Sequence, residues 1–381
     1  MDAVLALADG SIFRGSGFGA PGLAVGEVCF NTAMTGYQEI LTDPSYCGQI
    51  VTLTYPHIGN VGINGADAEG SKIFCSALVI RNLPRQPSSW RSEGNLNDYL
   101  LSHGIPGIAE LDTRALTRHL RDHGAQGGAV AVGHPLDIDA VLAAARAFPG
   151  LEGSDLVGDV SEAVPRNWNL GSGTLETGYR STPVENTVYH VAVLDFGAKR
   201  NILRLLADRN CRSTLLPPHT TAHEILAMGV DGVLFSNGPG DPAALKLAQR
   251  TVRDVAEKGI PVFGLCLGHQ LLGLAFGGKT LKMKFGHHGA NHPVRDVRSG
   301  RVLITSQNHG FAVDADTLPD HLEPTHFSLF DGSLQGMKHH SLPAFSFQGH
   351  PESGPGPHDA SVIFDEFVLS LAQWRTQHAQ A

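Results

Sequence analysis

Cys266 stands in the heptapeptide G-L-C-L-G-H-Q, with Gly264 and Gly268 two residues away on either side, directly after the apolar run I-P-V-F-G-L. Gly-x-nucleophile-x-Gly is the pattern of a strand-to-helix elbow. The central side chain is pushed above the sheet edge, and the glycines tolerate a tight backbone that a larger residue would block. The start of the following helix directs its amide dipoles at the sulfur and favours thiolate over thiol. A thiolate nucleophile needs a partner that holds its proton and delivers it to a departing amine. Among twenty histidines, His350 in F-S-F-Q-G-H-P-E is the informative one, because it too follows an apolar strand and should surface at the same carboxyl edge. Pro351 pushes His350 toward extended geometry, so His350 and Glu352 point the same way and the carboxylate can hold the imidazole. Cys266, His350 and Glu352 together outline a catalytic triad. A third strand-end loop, S-N-G-P-G-D-P over Ser236–Pro242, precedes a helix, and its backbone amides can face an anion. The amide of Leu267, first after the nucleophile, supplies a second oxyanion donor.

Positioning these groups at one edge requires a sheet whose strands run the same way. From Tyr189 onward, apolar runs (V-A-V-L-D-F, S-T-L-L-P, D-G-V-L-F, I-P-V-F-G-L) alternate with helical patterns. One helix is expected over the stretch opened by Pro242, with Asp241 as its N-cap. The alternation predicts an α/β domain with a doubly wound, mostly parallel sheet, whose ligand sites lie at the carboxyl ends of strands. Residues 279–313 lose the helical period and read as an antiparallel patch, before a last strand L-P-A-F-S-F-Q and a C-terminal helix over Asp359–Gln373. Residues 1–150 instead read as a strand-rich α+β domain with helices near Asp112–His123, closed by Gly124, and Asp137–Phe148. The stretch 151–188 has no sustained period and reads as a connecting segment, leaving 189–381 as the second domain.

Composition narrows the classes. With 28 basic against 37 acidic residues the formal charge is −9, which argues against a nucleic-acid binder. Five cysteines without CxxC pairing suit free thiols in a reducing, cytoplasmic setting. The N-terminal M-D-A-V-L-A-L-A-D-G lacks a basic leader and its apolar run is too short for a signal sequence or a membrane span. Two motif matches are decoys. Residues 273–280 fit GxxxxGK[ST] but follow a helix rather than a strand, and Gly17–Gly22 fits GxGxxG with Pro21 inside it and no helix after it. The adjacent pairs His287–His288 and His339–His340 point to opposite faces of an extended chain, so no metal site is expected.

The motifs G-L-C-L-G-H-Q, S-N-G-P-G-D-P, Q-N-H-G-F and G-H-P-E together resemble a class I, triad-type glutamine amidotransferase domain. In the N-terminal half, the stretch from Gly26 to Gly62 and the segments E-L-D-T-R-A-L-T-R and K-M-K-F-G-H-H-G-A-N-H-P-V resemble the small, glutamine-hydrolysing subunits of carbamoyl-phosphate synthetases. The resemblance spans nearly the whole chain. It implies hydrolysis of L-glutamine to glutamate through a cysteine thioester, with ammonia passed by a shielded route to a separate large synthetase subunit. That subunit would use bicarbonate and two MgATP to make carbamoyl phosphate for arginine and pyrimidine biosynthesis. No cofactor is implied in this chain, and the partnership would be a heterodimer or a higher assembly. Carried over by position, Cys266 is the nucleophile, His350 the base and Glu352 its orienter. The glutamine-binding pattern falls on Ser45 in D-P-S-Y, Gly238, Gly240, Leu267, Gln270, and Asn308, Gly310 and Phe311 in Q-N-H-G-F, with the amides of Leu267 and Gly240 holding the oxyanion. A free-standing amidase or peptidase could carry the same triad, and full glutaminase turnover without a partner would distinguish it.

Overall fold

The structure, a computed structural model, describes residues 1–174, 176, 178–181 and 184–378. The chain divides into two compact units: unit 1 comprises residues 1–154, 283–290 and 354–356, and unit 2 comprises residues 155–282, 291–353 and 357–381.

Unit 1 is built on a closed seven-stranded barrel. Its strands are β1 (Asp2–Leu7), β2 (Ile12–Gly19), β3 (Gly22–Asn31), β4 (Gln49–Leu53), β5 (Ala77–Val79), β6 (Pro106–Ala109) and β7 (Gln126–Val132), in the order β1-β2-β6-β5-β4-β3-β7. After the exposed Asp2, the run A-V-L-A-L is apolar without a break because both of its faces are covered. Ala3, Leu5 and Leu7 pack with Val28, Ile50, Val79, Ile108 and Val130, whereas Val4 and Ala6 pack with Val141 and Ala145 of the helix Ile138–Ala147. The two expected helices form at Thr113–His123 and Ile138–Ala147, with Asp112 and Asp137 as N-caps. Two short helices that the sequence pattern left unread, Tyr37–Thr42 and Leu96–Ser102, are too brief to show a period. The GxGxxG match is the β2–β3 turn, with Gly19 and Gly22 at positive φ.

Unit 2 carries a mixed sheet with the order β16-β15-β17-β18-β19-β14-β13-β11-β12-β8. Its strands are β8 (Arg166–Trp168), β11 (Tyr189–Leu194), β12 (Cys211–Leu216), β13 (Gly232–Phe235), β14 (Val262–Leu265), β15 (Lys279–Asp296), β16 (Val302–Asp314), β17 (Leu322–Ser328), β18 (Leu334–His339) and β19 (Ala344–Phe347). Strands β9 (Leu170–Thr174) and β10 (Gly178–Ser181) pair separately. The five central strands are mutually parallel. Helices cover both faces: Lys246–Glu257 and Leu267–Ala275 pack on one, and Arg200–Asp208 with the C-terminal helix Val362–His378 pack on the other. This is the doubly wound arrangement that the alternating pattern predicts.

Local detail departs from expectation in three places. The helix expected from Pro242 starts later: Asp241 accepts a hydrogen bond from the Ala243 amide and closes a 3-10 turn, Pro242–Ala244. Leu245, buried in the core with a non-helical backbone, then separates that turn from the helix Lys246–Glu257. The C-terminal helix likewise begins at Val362, after a 3-10 turn over Asp359–Ser361. Finally, the aperiodic stretch after residue 150 contributes an edge strand, β8, antiparallel to β12.

Candidate active site

Cys266 follows β14 and caps the helix Leu267–Ala275, with φ 53° and ψ −103°. A non-glycine residue in this region is strained, and such strain persists only where the surroundings enforce it. The flanking glycines supply the enforcement. A Cβ on Gly264 would stand 2.5 Å from the Gly268 carbonyl oxygen, and one on Gly268 would stand 2.0 Å from that of Phe235. Both gaps are too small for any side chain, so the elbow closes only with glycine at these positions. The Cys266 amide donates to the Phe347 carbonyl and the Gly268 amide to that of Ser236, tying the turn to both neighbouring strands.

The thiol is buried. It donates to the Asn308 carbonyl at 3.6 Å and accepts from the Gln348 side-chain nitrogen at 3.8 Å. Parallel pairing of β14 with β19, in register Leu265 to Phe347, carries the chain ends of both strands to one edge. His350 leaves that edge three residues after β19 and is anchored by its amide on the Ser306 carbonyl. Its Nδ1 lies 2.7 Å from Glu352 Oε1. Its Nε2 meets no acceptor in hydrogen-bond geometry, yet the Cys266 sulfur is close enough to draw a proton onto the ring. The two groups stand in approach rather than in a formed bond, as is common in unliganded sites whose hydrogen bonds tighten on the substrate.

Charge on the pair is settled by competition. Burial pushes the His350 imidazole down, but the Glu352 carboxylate and then the Cys266 sulfur outweigh it and hold the ring well above the ordinary histidine value. Burial likewise pushes Glu352 up, and Lys199 followed by His350 overcome it and hold the carboxyl below its usual range. Lys199 Nζ lies 2.9 Å from Glu352 Oε1 and also donates to the Ser353 carbonyl. The Asn201 side chain donates to the Glu352 carbonyl. Lys199 is buried. It stands in the loop after β11, within D-F-G-A-K-R-N, and the sequence reading passed over it. The available signal was its place in the loop at the carboxyl end of a core strand, five residues past Leu194.

The remaining predicted residues are distributed as follows. Leu267 is the first residue of the elbow helix and buried. Gly238 sits in the loop after β13, where a Cβ would stand 2.2 Å from the Phe196 carbonyl oxygen, and Gly240 adopts φ +86°. Gln270 donates to the Phe311 carbonyl at 2.8 Å and to Gln348 Oε1 at 3.1 Å. Asn308, Gly310 and Phe311 lie on β16, with Asn308 and Phe311 buried. Ser45 belongs to unit 1, in the turn Pro44–Tyr46, where its amide is held by Asp43 Oδ1. Gln348 is the second residue that the sequence reading missed, although it stands inside the motif quoted for His350. The GxxxxGK[ST] match runs from within the elbow helix to the start of β15, in the helix-to-strand sense. Among the described residues, no group of three or more His, Cys, Asp or Glu could hold a metal ion, and no helix is long and apolar enough to cross a membrane.

Comparison with known proteins follows the same division of the chain. A family model described as glutamine amidotransferase class-I matches residues 192–370, and one described as carbamoyl-phosphate synthase small chain, CPSase domain, matches residues 5–130. The chain is similar to the carbamoyl phosphate synthase small chain of Vibrio cholerae, 58% identical over 374 residues, with 98% of this chain and 99% of that protein covered. Its likeness to the small chain of Thioalkalivibrio sulfidiphilus is 58% over 366 residues, covering 96% of each. For Escherichia coli strain K12 it is 56% over 374 residues, covering 98% of each.

Proposed function

The chain belongs to the carbamoyl-phosphate synthase small-chain family, and from that premise we propose that it hydrolyses L-glutamine at Cys266 and delivers the ammonia to a large synthetase subunit. The observation that carries this reading is a cysteine held at positive φ on a strand-end elbow, beside a buried histidine that a carboxylate keeps charged. A thiolate facing an imidazolium is the resting state from which such chemistry starts.

In this reading the Cys266 thiolate attacks the side-chain carboxamide carbon of glutamine, and the carbonyl π electrons move to oxygen. The amides of Leu267 and Gly240 hold that oxyanion, each donor worth about 10²–10³ in rate. His350 protonates the nitrogen as the C–N bond breaks, releasing ammonia and leaving a thioester. The now neutral imidazole takes a proton from water, hydroxide adds to the thioester carbon, and glutamate leaves as sulfur departs with its electron pair. Glu352 holds the ring through Nδ1, and Lys199 holds Glu352. Gln270, Asn308, Gly238, Gly310 and Phe311 complete the proposed glutamine-binding set. Ser45 enters it on family likeness alone.

Ammonia must stay unprotonated to act as a nucleophile, which favours direct transfer to the partner over release to bulk water. The partner would bind MgATP and bicarbonate, forming with this chain a heterodimer or a higher assembly in the cytoplasm and serving arginine and pyrimidine biosynthesis. No cofactor is assigned to this chain. The test is reconstitution with the large chain, supplying glutamine or ammonium salts. Wild type should support carbamoyl phosphate synthesis from both, and Cys266→Ser from ammonium alone. Glutamine-dependent synthesis persisting in Cys266→Ser would overturn the reading.

A further inference from the structure

The Cys266 sulfur has two polar neighbours that suit opposite protonation states. The Asn308 carbonyl, 3.6 Å away, can only accept and so serves the thiol. Once the proton leaves, that contact offers the sulfur nothing. The Gln348 side-chain nitrogen, 3.8 Å away, can only donate and so serves the thiolate.

Which end of the Gln348 carboxamide faces the sulfur is fixed by a chain of obligations. The Phe311 carbonyl accepts at 2.8 Å from Gln270, so the end of Gln270 facing it must be the NH₂ group. The same nitrogen donates its other hydrogen to Gln348 at 3.1 Å, so the receiving atom of Gln348 must be its oxygen. The NH₂ group of Gln348 is therefore the end left for Cys266. Each link is buried, with Gln348 and Gln270 at 0% and 3% exposure, so water does not offer an alternative pairing. The backbone is pinned as well. The Gln348 amide donates to the Gln335 carbonyl at 2.9 Å, and the Cys266 amide donates at 2.9 Å to the carbonyl of Phe347, the residue before Gln348. A buried carboxamide held in one line of hydrogen bonds from Phe311 through Gln270 to Cys266 is costly to place for packing alone.

We propose that Gln348 is a catalytic residue of the amidotransferase reaction, donating its side-chain N–H to the Cys266 sulfur to hold the thiolate in its attacking orientation, with Gln270 as the positioning residue that aims it. The inference rests on the reading of Cys266 as the nucleophile. It gives Gln270 a role besides its proposed contact with glutamine. The bond is made to the charged sulfur and lost in the neutral thioester, so it acts through the fraction of sulfur held ionised and aimed for attack and not through glutamine affinity.

The test uses the full chain with its large subunit and reads the pH dependence of Cys266 alkylation by iodoacetamide alongside glutaminase kinetics. Gln348→Met removes the donor. Gln348→Glu keeps the shape and replaces the donor with a group that repels a thiolate. The alkylation midpoint should rise by about 1 pH unit in Gln348→Met, the size expected of a hydrogen bond to a charged group, and further in Gln348→Glu. In Gln348→Met, kcat should fall by up to about tenfold at pH below the alkylation midpoint, where the ionised fraction falls by that factor, with KM within about twofold. Gln270→Met should shift the midpoint the same way by less, and it keeps the proposal testable if a Gln348 variant fails to fold. A folded Gln348 variant, checked by its thermal unfolding midpoint and its co-purification with the large subunit, whose alkylation profile matches wild type overturns the proposal, and so does a fall in kcat without a shift. Absence of glutaminase in the wild-type complex would instead overturn the functional reading.

Discussion

Two histidines of unit 2 are buried equally, His350 at 1% exposure and His269 at 0%, and are driven in opposite directions. His269 follows Cys266 by three residues, in the elbow helix. Its Nδ1 pairs with the Ser346 hydroxyl at 2.8 Å, its Nε2 has no partner, and burial followed by the nearby His326 pushes it down to about 3. His326, pushed by burial to about 4, is neutral too. His350 is held protonated by Glu352, which is itself held ionised by Lys199. Burial alone thus empties a histidine of charge, and it takes a buried carboxylate with its own cation to restore it. The active-site edge differs from the rest of the sheet in having that charged chain, not in being more enclosed.

The largest effects fall on the charged side. Cys266→Ala should lower glutamine hydrolysis by ~10⁴-fold or more, as for other nucleophile deletions, with ammonia-dependent synthesis in the complex kept. His350→Asn removes the group that returns the proton and should cost ~10²–10⁴ in kcat. Steady-state glutaminase assays of the two variants check both, and a His350→Asn enzyme within tenfold of wild type would break the contrast drawn above.

Lys199→Met probes the next link outward. Removing one partner of a buried ion pair leaves an uncompensated charge and costs about 3–5 kcal/mol, measurable by urea unfolding at neutral pH. The sign with pH follows from Glu352. In the wild type its folded value lies below its unfolded one, so its stabilisation is present above the unfolded value and is lost as pH falls through the folded value. Without Lys199 only His350 is left to oppose burial and the folded value rises, so the deficit of the variant should be greatest near neutrality and shrink as Glu352 takes up a proton. A deficit independent of pH would mean that Lys199 acts by packing.

Much of this edge was legible beforehand because it is encoded in local spacing. Gly264, Cys266 and Gly268 specify the elbow by sterics alone, and His350-Pro351-Glu352 specifies a paired imidazole and carboxylate within one extended tripeptide. The alternating apolar and helical rhythm after Tyr189 specified the parallel sheet for the same reason. The unread parts depend on partners distant in the chain. Lys199 meets Glu352 across 153 residues of sequence, and Gln348 meets Cys266 across 82; no spacing records such pairs. The late start of the helix at Lys246 was hidden similarly, since Leu245 leaves the helical region to fill a core that only the folded sheet defines.

Gly268→Ala tests the elbow without touching charge. The new methyl would overlap the Phe235 carbonyl at 2.0 Å, and backbone must move to admit it. Overpacking of this kind costs about 1–3 kcal/mol. Because the shift displaces the sulfur from His350, glutaminase should fall more than thermal stability suggests. Equal losses of both would place the strain outside the reaction geometry.

The smallest effect is expected at His269, and it tests the comparison most directly. His269→Asn removes the bond to Ser346, a loss of about 1 kcal/mol, visible as a modest fall in unfolding midpoint. A ring that is neutral throughout the working range contributes no titration to the reaction, so the pH profile of kcat should keep both limbs where wild type has them. If the acid limb moved in His269→Asn, the elbow helix would be carrying a second titrating group, and charge at this edge would depend on more than the chain from Lys199 to Cys266.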